Sequence, residues 1–243
     1  LVARRHIDLA NSRYFLVNSG NANAATGQAG VADAQTCCQE VSRLVGVTTE
    51  EVVPFSTGVI GERLPVATVV DALPLLRADL SESNWLKAAR GIMTTDTQPK
   101  IGSRQFKLDD KVITITGIAK GAGMIQPNMA TLLVYIATDA QCSKQALNAA
   151  LLAGADQSFN RITVDSDTST NDSCMLTATG VSGVSVEDGE GQHLFARELA
   201  SLMRDLAHGI VRDAEGATKF IKVTVRGGQS ESDCLIVAFS IAN

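Results

Sequence analysis

The sequence predicts an α/β protein in which mixed sheets are flanked by helices. Three observations carry that prediction. Strand-like and helical stretches alternate along the chain, with no internal repeat or low-complexity linker. Leu132 to Ala137 is a nearly unbroken apolar run whose Val, Tyr and Ile content suits a strand buried on both faces. Hydrophobic residues make up 45% of the 243 positions and charged residues 19%, enough to build a sizeable core.

Taken in order, Tyr14 to Asn18 reads as a short strand entering the Asn- and Gly-rich loop Asn18-Ser-Gly-Asn-Ala-Asn-Ala. Val31, Ala34, Cys38, Val41, Leu44 and Val45 keep helical spacing, so a helix closes at Gly46, and Thr48 or Thr49 caps the next segment. Val52 to Phe55 is a brief strand leading to Ser56-Thr57-Gly58. Helices are expected over Pro65–Leu80 and Ser83–Ile92, the second ending in a loop that Pro99 keeps non-helical. Phe106 to Asp110 and Val112 to Gly117 read as a hairpin turning at Asp109-Asp110. The glycine-rich stretch Lys120-Gly-Ala-Gly then feeds the buried strand. A helix over Cys142–Ser158 follows, and Ile162–Val164 and Met175–Thr179 read as strands on either side of an acidic, hydroxyl-rich loop. Gly189 to Gly191 reads as a turn, His193–Val211 as a long helix, Phe220–Val225 as a strand and Ser230–Asn243 as a helix. The first residue is not Met and the last lies inside that helix, so both ends are expected to be cut.

Several functional classes are disfavoured. A net charge of −5 supplies no basic surface for nucleic acid. No apolar run reaches the roughly 18 residues of a membrane helix, and the N-terminus lacks the apolar segment of a secretory signal. Cys37, Cys38, Cys142, Cys174 and Cys234 have no CxxC spacing and are expected to be reduced, mostly core thiols. His6, His193 and His208 lie far apart, so no metal site is expected. The acidic loop Asp165 to Ser173 lacks the glycine and terminal glutamate of an EF-hand. A Gly-x-Ser-x-Gly elbow, a phosphate loop, a dinucleotide fingerprint and a Cys–His pair are all missing from the pattern.

What survives is a threonine nucleophile. Thr131 stands at the junction of the glycine-rich loop and the buried strand, preceded by small Ala130. A threonine hydroxyl needs a base to take its proton. Breaking the Ala130–Thr131 bond would free an α-amine with a reference pKa of about 7.7–8.0, suited to that task. Thr57 hydroxyl and Gly58 N–H, adjacent on a tight turn, have the chemistry of an oxyanion hole. A strand cap at Thr131 and an ordinary Ser-Thr-Gly turn are the plainer readings of the same residues.

The motifs Asn18-Ser-Gly-Asn-Ala-Asn-Ala, Ser56-Thr-Gly-Val-Ile-Gly-Glu-Arg-Leu-Pro65, Met93-Thr-Thr-Asp-Thr-Gln-Pro-Lys100, Lys120-Gly-Ala-Gly-Met-Ile-Gln-Pro-Asn-Met-Ala-Thr131, Thr170-Asn-Asp-Ser173 and Glu215-Gly-Ala-Thr-Lys219 stand in one order along nearly the whole chain. In them the sequence resembles the ornithine acetyltransferase (glutamate N-acetyltransferase) family of arginine biosynthesis. The resemblance implies a layered αββα sandwich and self-cleavage at Ala130–Thr131, which would divide the chain into an α part, 1–130, and a β part, 131–243. It implies transfer of acetyl from N2-acetylornithine to glutamate through an acetyl-threonine at Thr131, with Thr57 and Gly58 as the oxyanion hole. Thr94, Lys120 and Glu215 are implied as substrate contacts, with Thr95 as the neighbour that the sequence does not separate from Thr94. No metal or organic cofactor is implied, and acetyl-CoA is a candidate co-substrate. The expected partners are the chain's own cleaved half and further copies in a hetero-oligomer, in the cytoplasm or, for a eukaryote, the mitochondrial matrix. The family places further contacts, an asparagine among them, beyond position 243. The rival expectations are an N-terminal-nucleophile aminopeptidase or amidohydrolase on a similar scaffold, and a non-catalytic relative.

Overall fold

A computed structural model describes residues 1–108, 110–125 and 132–243. The chain forms two compact units, Leu1–Thr94 and Thr95–Asn243. The expected cleavage point, Ala130–Thr131, lies outside the described residues.

In the first unit, α1 (Val2–Leu9), β1 (Tyr14–Asn21), α2 (Gly27–Val45), β2 (Val52–Val59), α3 (Val66–Ala78) and α4 (Trp85–Gly91) follow one another. β1 and β2 are parallel, with Tyr14 opposite Val52 and Gly20 opposite Gly58. The predicted α2 ends as expected at Gly46, whose φ of 74° is the left-handed cap that glycine adopts without penalty. Thr48 caps a short 3-10 turn in a capping box with Glu51. Cys38 and Val41 of α2 pack with Val52 of β2 and Leu73 of α3. The buried His6 places Nδ1 2.7 Å from the Val52 carbonyl, tying α1 to the start of β2.

The second unit holds a four-stranded sheet in the order β3 (Lys100–Leu108), β4 (Lys111–Lys120), β5 (Leu133–Thr138) and β6 (Ser173–Ala178). The predicted hairpin is present but longer than expected, and Asp110 at its turn has φ 61°. β4 pairs antiparallel with β5, and β5 parallel with β6. α5 (Lys144–Asp156) spans the crossover between those two strands, capped by the Ser143 hydroxyl. α6 (Gly189–Arg212) lies on the sheet, with Leu199, Leu202, Met203, Leu206 and Ile210 against Ile113, Ile115, Val134 and Ile136. α7 is Glu231–Ala242. Both units thus combine sheet and helix, and the described architecture is mixed α/β with sheets flanked by helices.

Three local expectations are corrected. Gly189–Gly191 opens α6 instead of forming a separate turn, with Asp188 at the N-cap and Glu190 in the first turn. A carboxylate there complements the positive end of the helix. Ile162–Val164 is not a strand; Val164 donates its N–H to the Ile125 carbonyl at 2.8 Å and so ties down the glycine-rich loop. Phe220–Val225 keeps its alternating pattern yet is not a strand, with Ile221 75% exposed. A strand needs a neighbour to satisfy its backbone, and among the described residues none is hydrogen-bonded to this segment as a ladder. Phe220 packs instead against His208, at 5.1 Å between ring centroids, and under Arg212.

Candidate functional site

Two sets of predicted residues are placed, one in each unit. In the first, the expected Asn-rich loop and Ser-Thr-Gly turn are strand instead: residues 18–21 end β1 and residues 56–58 lie opposite them in β2, and their side chains are woven together. Ser56 donates to Asn18 Oδ1 at 2.6 Å, and the Asn18 amide donates to the Asn21 carbonyl at 2.8 Å. The Asn21 amide reaches the carbonyls of Glu62 and Arg63 at 3.2 and 3.1 Å. Arg63 then forks onto Asp33 of α2 with two bonds of 2.8 Å, which hold the Asp33 carboxyl below the usual carboxylate range. Thr57 is 4% exposed on this support. At Gly58 the backbone has φ 130°, and a Cβ would lie 2.3 Å from the Gly20 carbonyl carbon. Glycine is therefore demanded here by the close approach of β1, whatever its N–H does in chemistry. Thr94, the last residue of this unit, is exposed, as is Thr95.

The second unit gathers Lys120 and Glu215, which the sequence separates by 95 positions, with charged residues that sequence reasoning passed over. Lys120 ends β4 opposite Leu133 and is 2% exposed, so it is not a solvated loop charge. Burial lowers its proton affinity. Asp96, Asp172 and Glu215 oppose that shift and Lys100 adds to it. Lys100, 6% exposed, donates from Nζ to Asp96 Oδ1 and to Asp213 Oδ2, both at 2.5 Å, and to the Gly121 carbonyl at 3.2 Å. Asp96 Oδ1 also accepts the Gly121 N–H at 2.8 Å. Asp213 accepts the N–H groups of Thr97 and Gln98 and the Thr97 hydroxyl. Burial alone would raise the Asp213 carboxyl, but Lys100 and Thr97 outweigh it and hold the group low. Asp96 and Lys100 both stand in the Met93–Lys100 motif; a carboxylate and a lysine four apart in a Pro-containing loop were the available signal.

The glycine-rich loop is held at several points. Ala122 O accepts the Glu215 N–H at 2.8 Å, and a Cβ at Gly123 would lie 3.0 Å from Glu215 Oε1. Met124, at φ 52°, and Ile125 both donate their N–H groups to Asp165, at 2.5 and 2.9 Å. Beyond the undescribed positions, Leu132 donates its N–H to Asp172 Oδ1 at 2.9 Å. Burial pushes the Asp172 carboxyl up to about 7, against the pull of that amide and of Lys120. The acidic loop Asp165–Ser173 thus supplies carboxylate anchors on both flanks of residues 126–131. Ala130 and Thr131 lie outside the described residues. Among the described residues no group of three or more His, Cys, Asp or Glu is placed to hold a metal ion, and no helix is long and apolar enough to cross a membrane.

The described chain is thus an α/β scaffold with a buried lysine among carboxylates, next to a glycine-rich loop. The chain matches the ArgJ family over residues 1–243 and belongs to it. It is 51% identical over 247 residues to the arginine biosynthesis bifunctional protein ArgJ of Pseudomonas fluorescens, an alignment covering 100% of this chain and 60% of that protein. The Pseudomonas syringae protein of the same name is 51% identical over 95% of this chain and 58% of its own length, and that of Methylococcus capsulatus 48% over 100% and 60%. The chain therefore spans about 60% of the length of these relatives. Two solved structures are also similar. One is the ArgJ protein of Bacillus halodurans, with 34% identity, TM-score 0.48, and 53% of this chain and 68% of that one covered. The other is an ornithine acetyltransferase of Mycobacterium tuberculosis complexed with ornithine, with 30% identity, TM-score 0.45, and 54% and 69% covered.

Proposed function

We propose that this chain is part of an ornithine acetyltransferase that moves acetyl from N2-acetylornithine to glutamate by double displacement. The observation that carries the reading is the buried Lys120, in the field of Asp96, Asp172, Glu215 and Lys100, in a chain that belongs to the ArgJ family. A buried ammonium suits an α-carboxylate as a point charge, and a carboxylate such as Glu215 suits a substrate amine.

In this reading Thr131 Oγ first attacks the Ala130 carbonyl carbon. The N-to-O shift frees the Thr131 α-amine and leaves an ester at Oγ, and water cleaves that ester to give the Ala130 carboxylate and restore the Thr131 hydroxyl. The amine then takes the Oγ proton as Thr131 attacks the acetyl carbonyl of N2-acetylornithine, and Thr57 hydroxyl and Gly58 N–H receive the oxyanion. The C–N bond breaks, ornithine leaves with the proton, and the glutamate amine takes the acetyl group from Thr131. Lys120 and Thr94 contact the substrate, and Glu215 holds or relays a proton at its amine. The residues need no metal or organic cofactor for these steps; acetyl-CoA would serve as a second donor if the chain is bifunctional. The α and β parts, 1–130 and 131–243, stay associated and assemble further, in the cytoplasm or a mitochondrial matrix.

Intact mass with N-terminal sequencing tests the reading. Two pieces are expected, the second beginning Thr-Leu-Leu-Val, and Thr131→Ala protein is expected to stay whole and transfer no acetyl. A Thr131→Ala protein that still splits, or still transfers, overturns it. Acetate release without glutamate acetylation would favour the amidohydrolase, and an intact bond in folded, inactive protein the non-catalytic relative.

A further inference from the structure

The loop 164–173 grips both flanks of residues 126–131, and it does so in the same way on each side. On the near side stands the buried Ile125, whose N–H goes to Asp165 Oδ1 at 2.9 Å. Its carbonyl accepts the Val164 N–H at 2.8 Å. On the far side stands Leu132, also buried, whose N–H goes to Asp172 Oδ1 at 2.9 Å. Its carbonyl accepts the Ser173 N–H at 3.0 Å. Each flanking residue therefore has both backbone groups satisfied by an aspartate and that aspartate's chain neighbour, from one loop.

The two grips differ in what they hold. Asp165 also accepts the Met124 N–H, at 2.5 Å from Oδ2, and Met124 has φ 52°. A non-glycine residue in the left-handed region stays there only when its surroundings hold it. Two successive amides on one carboxylate supply that hold. Asp165 is itself exposed, so it steadies a backbone turn and not a core. Asp172 is half-buried, and the amide it accepts is the one that links Leu132 to Thr131. Its bond thus anchors the chain directly behind the expected nucleophile.

We propose that Asp165 and Asp172 are positioning residues, each holding one side of the connection that carries the scissile bond. The inference rests on the acetyltransferase reading, in which Thr131 Oγ attacks first the Ala130 carbonyl and later the acetyl group. Such an attack depends on the placement of the reacting atoms, and slack at either end of a short connection lowers its rate. The cut then separates the two roles. Asp165 is left holding the end of the α part, whereas Asp172 still holds Leu132 behind Thr131. Both carboxylates therefore matter for self-cleavage, and only Asp172 for acetyl transfer. Neither takes a proton in these steps, so what counts is the acceptor oxygen and not the charge.

The test follows the complete chain, made by cell-free synthesis, by intact mass over time, and then measures acetyl transfer by the cleaved fraction. Asp165→Ala is expected to cleave about 10- to 100-fold more slowly and, once cleaved, to keep kcat within about threefold of the unsubstituted enzyme. Asp172→Ala is expected to slow cleavage by a similar factor and to lower kcat about tenfold or more, with the KM for N2-acetylornithine nearly unchanged. Asp172→Asn, whose amide oxygen still accepts the Leu132 N–H, is expected to restore both. Asp167→Ala removes a carboxylate from the same loop but keeps the N–H that Asp167 gives to Asp165 Oδ1 at 3.2 Å, and is expected to cleave at the parental rate. Circular dichroism checks folding, and a leucine variant, which likewise cannot accept a bond, replaces any alanine variant that is unfolded. Parental cleavage by either alanine variant overturns the inference, as do equal kcat losses in the two or an Asp172→Asn protein as impaired as Asp172→Ala. Equal slowing by Asp167→Ala overturns it too, because charge alone would then explain the effect. An unsubstituted chain that stays whole sinks the acetyltransferase reading and this inference with it; a chain that cleaves no faster than its variants sinks this inference alone.

Discussion

Replacing Lys100 by Met tests the charge network that shapes the Lys120 site. Methionine matches the stem of lysine in length and fills the same apolar path, so the substitution removes the ammonium with little change in volume. It leaves Asp96, with a fully buried side chain, and Asp213, with 11% of its side chain exposed, facing each other without the cation 2.5 Å from each. Solvent screening is slight at these exposures, so the surface-pair discount does not apply. Breaking a buried pair by removing one partner typically destabilises by about 3–5 kcal/mol, which for a chain of this size is roughly 6–20 °C in Tm. The pH dependence gives the sharper check. The native Asp213 carboxyl is held low, so it contributes stability above its unfolded pKa of about 3.9, and that contribution disappears as pH falls through the native value. Without Lys100 the contribution is lost, and the gap between parent and Lys100→Met should be widest near neutrality and close on acidification toward about pH 3. Thermal and denaturant unfolding from pH 3.5 to 8 measures both. A neutral-pH loss below about 1 kcal/mol, or a gap that widens in acid, would falsify the assignment of Lys100 as the counter-ion of both carboxylates.

Further outcomes follow from the same geometry. Thr57→Val keeps the buried shape and removes the hydroxyl, so acetyl transfer is expected to fall about 100- to 1,000-fold with folding retained; steady-state kinetics showing less than a tenfold drop would remove Thr57 from the oxyanion site. Gly58 is no substitute for that experiment, because Gly58→Ala drives a Cβ into the Gly20 backbone and should lower stability by about 2–4 kcal/mol in a denaturant melt. Gly123→Ala pushes only on the end of the flexible Glu215 side chain, so Tm should hold while kcat/KM drops about tenfold; unchanged kinetics would argue that Glu215 does not touch substrate. Burial raises the Cys38 thiol to about 12, and native protein treated with iodoacetamide at pH 8 should carry no label there by peptide mass, whereas unfolded protein should be labelled.

Local periodicity made most of the elements legible. The helix spacing from Val31 to Val45 with Gly46 behind it, the apolar run now seen as β5, and the hairpin about Asp110 depend on neighbours within a few residues, which the chain order displays directly. Motif order made the family legible, because it needs no knowledge of which motifs meet. Phe220–Val225 misled for the opposite reason: alternation states which face a strand would bury, but a ladder partner must come from elsewhere.

Residue order alone is enough for the class of fold, the family, and the candidate residues Thr57, Lys120, Thr131 and Glu215. That Lys120 is buried, and that Lys100 joins Asp96 to an aspartate 113 positions away, emerges only once the chain is folded. Folding likewise gives Gly58 a steric reason that its motif does not reveal. The physical reason is the same in each case. Desolvation and counter-ion pairing depend on which atoms surround a charge in space, and a residue four positions away carries no more of that information than one a hundred positions away.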